Sequence, residues 1–348
     1  MSRKPDKGLT YRDAGVDIDA QDEALSRIKG LLRSTRTEGV LSELGSFGGL
    51  FRPDLERLRK PVLVSSCDGV GTKLRVAFET GVHDTIGRDL VNHCVNDILV
   101  QGANPLFFMD YIATGKLEPQ VLASIVEGIA SGCRDAGAAL LGGETAEMPG
   151  FYADGEYDVA GFIVGLVDQD RLLGPPNVRE DQVLVGLPSA GLHTNGFSLA
   201  RKILFEVEGW RVTDSVAELG GTVGEILLTE HLSYKDPLTK PLSDNWVAAL
   251  SHITGGGLTD NLPRVLPAGL SVEVHLESWP VPPLFTLLQR AGNVSHEEMY
   301  RTFNMGIGMV AICNDGEAVL LECHLDRLQQ PHYRIGRVVR GDGQVLYG

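Results

Sequence analysis

A chain of 348 residues, 43% hydrophobic and 22% charged, is long enough to bury two cores of about 150 residues each and too apolar to be disordered. Its formal net charge of -15 has the wrong sign for neutralising a nucleic-acid backbone, and no long Lys/Arg run offsets it, so nucleic acid is excluded as a partner. Five scattered cysteines without a C-x-x-C pair point to reduced thiols in a cytoplasmic protein, and neither an apolar signal core in MSRKPDKGLTYRDAG nor a run of roughly 18 apolar residues calls for a membrane.

In chain order, residues 1–60 read as an N-terminal extension, with one amphipathic helix over 22–33 and a glycine-rich loop, LGSFGGLF, at 44–51. An apolar strand at 61–66 follows, then a helix over 84–101 whose Ile86, Leu90, Val91, Cys94, Val95, Ile98 and Leu99 share one side. A strand at 106–113, a helix at 118–135 and strands at 138–141 and 157–167 complete an α/β alternation that predicts a layered domain over 61–170. The Pro-Pro pair in LLGPPNVREDQ breaks regular structure and marks the boundary. Beyond it, a second α/β domain over 171–348 is expected. Its strands fall at 183–187, 270–276, 306–312 and 333–340, and its helices at 197–207, 245–250, 284–291 and 296–302.

Four stretches carry chemistry. In SSCDGVGTKLR, at 65–75, a strand runs into Asp68, a Gly69-Val-Gly71-Thr72 turn and Lys73. This is neither a Walker A loop nor a dinucleotide fingerprint. Either Asp68 and Lys73 close a turn by pairing with each other, or the carboxylate takes a divalent cation while glycines and lysine admit a phosphate. On the helix at 84–101, Asp97 falls in line with Leu90, beside the apolar stripe and away from Asp89 and Asn96, so it needs either a salt-bridge partner or a metal. LLGGETAEMPG, at 140–150, ends a strand in two glycines and Glu144. Asp68, Asp97 and Glu144 are thus expected around Mg²⁺ bridging nucleotide phosphates, unless they occupy unrelated turns. In the second half, AGLHTNGFSLARK at 190–202 and HITGGGL at 252–258 place His193, Asn195 and His252 beside glycine-bearing helix starts suited to an anionic substrate.

Together these segments, with YRDAGVDIDA, HDTIGRDLVNHCVNDILVQGA, PLFFMDYIATGKL, NLPRVLP and EMYRTFNMGIGM, resemble the aminoimidazole ribonucleotide (AIR) synthetase family over roughly residues 10–340. The resemblance implies a homodimer of two-domain α/β subunits whose N-terminal domains contribute to the dimer interface. It also implies an ATP- and Mg²⁺-dependent cyclo-ligase of purine biosynthesis, closing formylglycinamidine ribonucleotide (FGAM) to AIR through an iminophosphate. Carried over by position, Asp68, Asp97 and Glu144 hold the metal, while Lys73, Gly69, Gly71 and Thr72 meet phosphate. Lys29, Gly48 and Gly49 lie near the nucleotide, and His193, Asn195 and His252 orient substrate, with Lys73, His193 and His252 as the catalytic candidates. Two places depart from the family pattern: Thr229 to Tyr234 replaces Thr-Pro-Thr-x-Ile-Tyr, and Asn92-His93 replaces a more apolar pair. Related ATP-using families with an early or terminal reactive cysteine fit less well, since no cysteine precedes Cys67 and the chain ends Leu-Tyr-Gly.

Overall fold

A computed structural model describes residues 8–43, 45–56 and 58–348; residues 1–7, part of the charged start read above, lie outside them. Helix α1 (Ile18–Ser34) is capped by Asp17, whose side chain accepts from the Asp19 and Ala20 N–H groups. Strand β1 (Pro61–Gly69), helices α2 (Leu74–Thr80) and α3 (Asp84–Leu99), strand β2 (Asn104–Thr114), helix α4 (Pro119–Ala136) and strands β3 (Ala139–Glu147) and β4 (Tyr157–Asp168) form the first layered unit. Its sheet has the order β1-β4-β2-β3, with only β2 and β3 parallel.

Helices α3 and α4 cover one face of this sheet. They touch backbone to backbone: a Cβ on Gly87 would lie 2.1 Å from the Ile125 carbonyl oxygen, and one on Gly128 would lie 2.1 Å from that of Asp84. The opposite face stays open, leaving Leu63, Phe162 and Met109 exposed at 64%, 45% and 36%.

The second unit contains β5 (Val183–Pro188), α5 (Phe197–Arg201), the short pair β6 (Ser215–Val216) and β7 (Gly221–Thr222), α6 (Val223–Leu227), α7 (Lys235–Ser243), β8 (Ala249–His252) and α8 (Gly257–Asn261). It continues through β9 (Leu270–Val274), α9 (Pro283–Gly292), α10 (His296–Thr302), β10 (Ile307–Cys313), α11 (Asp315–Arg327), β11 (Tyr333–Arg340) and β12 (Val345–Tyr347). Six strands form one sheet, β12-β9-β11-β5-β10-β8.

The helix expected at 245–250 is not there. Residues 249–252 pair with β10 as a buried edge strand, and the helix lies earlier, at Lys235–Ser243. Composition hides this helix because Pro237 and Pro241 fall inside it; Pro237 occupies the first turn, where a missing N–H costs nothing. Helix α11 also went unread from sequence; its apolar face is narrow, with Ala318, Leu321 and Leu325 buried and Val319 and Leu320 exposed.

Candidate active site

The polar residues of α3 recur at helical spacing: Asp89, His93 and Asp97 stand four apart, as do Arg88, Asn92 and Asn96. The apolar stripe suggests a solvent-facing side for Asp89 and Asn96, yet both are fully buried, because the C-terminal half covers that side of the helix. Segment 229–234 lies along it. Asp89 accepts from the His231 N–H at 2.7 Å, and the Asn92 amide donates to the His231 carbonyl at 2.7 Å. Asn96 donates to the Leu232 carbonyl and accepts from the Tyr234 N–H. Segment 229–234 is therefore the strap that fastens the two halves together.

Lys73 belongs to this strap and not to a cleft. Its Nζ is 2.6 Å from Asp89 Oδ2, both side chains have no exposure, and it donates to the Thr229 carbonyl at 2.8 Å. Burial raises the Asp89 carboxyl to about 6 against the pull of Lys73 and the His231 N–H. The expectation that Lys73 neutralises a phosphate, or pairs with Asp68 across its own turn, is corrected: its charge is spent on Asp89.

Asp68 and Asp97 instead meet histidines. His93 Nε2 donates to Asp68 Oδ2 at 2.7 Å and lies 3.9 Å from Asp97 Oδ2. His252 Nδ1 donates to Asp97 Oδ1 at 2.9 Å, and Ser66 Oγ donates to Asp97 Oδ2 at 2.9 Å. Burial alone would raise both carboxyls, but hydrogen bonds from His93 and His252 outweigh it and hold them below the usual carboxylate range. Burial lowers His252 despite Asp97, and lowers His193 and His231 much further, with neighbouring histidines adding to the effect.

His193 stacks on His231 at 4.1 Å; it accepts from the Ala190 N–H while its Nδ1 is buried without a partner. Its φ of 60° is the sharp turn that swings the ring inward. The Asn195 amide nitrogen is likewise buried and unpaired, and Thr72 Oγ1 lies 3.0 Å from Ser198 Oγ at the start of α5. The structure thus brings Asp68, Thr72, Asp97, His193, Asn195 and His252 to one junction between the halves. Sequence reading missed His93 as a participant, along with His231, Thr194 and Asp89; the four-residue spacing on α3 was the available signal.

Glu144 is elsewhere. The register runs Gly69, Ala160, Tyr111, Glu144 across β1, β4, β2 and β3, so three strand spacings, about 14 Å, separate its backbone from the Asp68 end of β1. It borders a cavity of about 440 Å³ lined also by Lys29, Phe47, Gly48, Gly49 and Asp110. That volume suits a nucleotide or other small molecule. Burial pushes the Asp110 carboxyl up to about 7, and the closeness of its Oδ1 leaves no room for a Cβ on Gly143. Within one chain, therefore, the three acids do not surround a single ion.

The sequence matches the AIR synthase related protein N-terminal domain over residues 55–167 and the corresponding C-terminal domain over 179–348. The chain belongs to the AIR synthase family. It is 50% identical over 337 residues to a phosphoribosylformylglycinamidine cyclo-ligase of Brevibacillus brevis, spanning 97% of each chain. It is 52% identical over 334 residues to the one of Geobacter sulfurreducens, spanning 96% of each. Among solved structures, a thiamine-monophosphate kinase from Stenotrophomonas maltophilia superposes with a TM-score of 0.69 at 16% identity, covering 92% of this chain and 95% of that one. Hydrogenase maturation protein HypE in complex with ATP gives 0.68 at 19% identity, covering 96% and 93%. At such identities the family fold alone is shared.

Proposed function

We propose that the chain is an ATP-dependent cyclo-ligase closing FGAM to AIR, with release of ADP and phosphate, in purine biosynthesis. The observation that carries this reading is identity of about one half, over nearly the whole chain, with relatives of that name. An amide oxygen is a poor leaving group. Phosphorylation by the ATP γ-phosphate turns it into an iminophosphate, a nitrogen of the same substrate attacks the carbon, phosphate departs and a proton is lost. Such chemistry depends on positioning and charge more than on a protein nucleophile.

The two regions of the site divide the task. Lys29, Gly48, Gly49 and Glu144 line the cavity that would take the nucleotide, and Glu144 would hold the Mg²⁺ that travels with ATP phosphates and neutralises their charge. Asp68, Gly69, Gly71, Thr72, Asn195, His193 and His252 face the substrate at the junction. The unpaired His193 Nδ1 and Asn195 amide are donors awaiting an acceptor, as a substrate phosphate or carbonyl supplies. The separation of about 14 Å between the regions is of the order of an extended nucleotide triphosphate. The test is ADP release with Mg-ATP, with and without FGAM, alongside an assay for AIR. Substrate-dependent ADP matched one for one by AIR is expected; hydrolysis without ring closure overturns the reading.

The homodimer is part of the proposal. Leu63, Phe162 and Met109 make an apolar face on the open side of the first sheet, the kind of surface a partner covers. Leu63→Arg should shift the protein from dimer to monomer in light scattering; an unchanged mass would reject this face as the interface. Cytoplasmic placement accords with five free cysteines, and no helix among the described residues is long and apolar enough to cross a membrane.

A further inference from the structure

His93 and Asp97 lie one helical turn apart on α3, and His252 ends β8, so the junction gathers two imidazoles and a carboxylate from opposite halves of the chain. One ligand atom from each of the three falls within 4.8 Å of the others. The two histidine side chains are 5% and 3% exposed, while Asp97 retains 28%, which leaves the group reachable from one side.

We propose that His93 Nε2, His252 Nδ1 and an Asp97 oxygen form a site for one first-row transition divalent cation such as Zn²⁺, Co²⁺ or Mn²⁺, with water completing the coordination on the open side. Two histidines and a carboxylate form a donor set that such cations favour, whereas Mg²⁺ takes oxygen donors and binds imidazole poorly.

The outer partners are already in place. His93 Nδ1 is 2.7 Å from Thr194 Oγ1, and His252 Nε2 is 3.0 Å from His231 Nε2. Where an ion replaces the inner N–H bonds to Asp68 and Asp97, each ring can carry its proton on the outer nitrogen and aim the inner lone pair at the ion, the orientation that ligating histidines require. His231 accepts in this arrangement, because the Asn96 amide, oriented by the Leu232 carbonyl and the Tyr234 N–H, also points at its Nε2. His93 and His231 thus fall in one constellation, the first as ligand and the second as its support.

The site is tested on tag-free, metal-stripped full-length protein titrated with Co²⁺ and followed by visible ligand-field absorption, so that no readout depends on ring closure. One Co²⁺ per chain, displaced by Zn²⁺ but not by excess Mg²⁺, is expected, together with a rise in Tm, because the ion joins two halves of the folded chain. His93→Met should weaken Co²⁺ binding at least about 100-fold, since loss of an outer partner alone costs 10–100-fold. Should that variant fail to fold, the cobalt-loaded wild type decides: two paramagnetically shifted imidazole N–H resonances are expected. No absorption bands, bands unchanged in folded His93→Met, displacement by Mg²⁺ at equal concentration, or no shifted imidazole signals would each overturn the proposal. Failure of the cyclo-ligase assay with cobalt bands intact would instead reject the function and keep the site.

Discussion

Lys73→Met is expected to destabilise the protein by about 3–5 kcal/mol, the usual result of leaving one member of a buried ion pair without its partner. Asp89 would then sit on α3, buried beneath the 229–234 segment, with only the His231 N–H to meet its charge. In a thermal melt of a 348-residue chain this corresponds to a Tm lower by roughly 4–7 °C. The double variant Lys73→Met/Asp89→Leu should recover most of the loss, because replacing both charges with apolar groups removes the unpaired carboxylate. A different pattern is expected of a lysine serving ATP: unchanged Tm, a raised KM for ATP and no rescue by the second substitution. The double-mutant cycle separates the two directly. A wild-type melt for Lys73→Met would show that Asp89 finds another partner and that Lys73 is available to the nucleotide.

Why Lys73 misleads is instructive. In the string DGVGTK the acid, the glycines and the lysine look like one local device, because nothing in the sequence says that residue 229 will lie beside residue 73. Strand β1, the apolar face of α3 and the α/β alternation are local patterns and could be read directly. The partners of Asp89, Asn92 and Asn96 come from 231–234, more than 130 positions away, and no periodicity carries that information. The same holds for Asp97, which sequence correctly marks as needing a partner without revealing that His252 supplies it. Glu144 shows the converse failure. Two acids on apolar strands and a third on the helix between them suggest one metal cluster, yet strand order β1-β4-β2-β3 places Asp68 and Glu144 at opposite edges of the sheet. Spacing along the chain gives the end of each strand at which a ligand group sits; it does not give the order of strands. For helix α7 the reason is different, since two prolines mask a helix held chiefly by burial of Leu238 and Pro241.

Asp97→Asn should lower the rate of ring closure at least ~10²-fold through kcat, as loss of a preorganised charge in a reaction site does, while leaving KM for ATP and the fold nearly unchanged. The substitution keeps shape. An Asn oxygen can still accept from His252 Nδ1, and the Ser66 hydroxyl can rotate to accept from the new amide, so both neighbours stay satisfied. What disappears is the negative charge held between His93 and His252. The nucleotide cavity around Lys29 and Glu144 lies across the sheet from this point, which is why nucleotide affinity should not follow. The measurement is a steady-state ADP and AIR assay over a range of ATP concentrations, with near-UV circular dichroism to verify packing. A loss confined to KM for ATP would move Asp97 to the nucleotide, and wild-type turnover would remove it from the reaction site altogether. Unfolding would make it a structural acid, a role the two exchangeable hydrogen-bond arrangements of asparagine argue against.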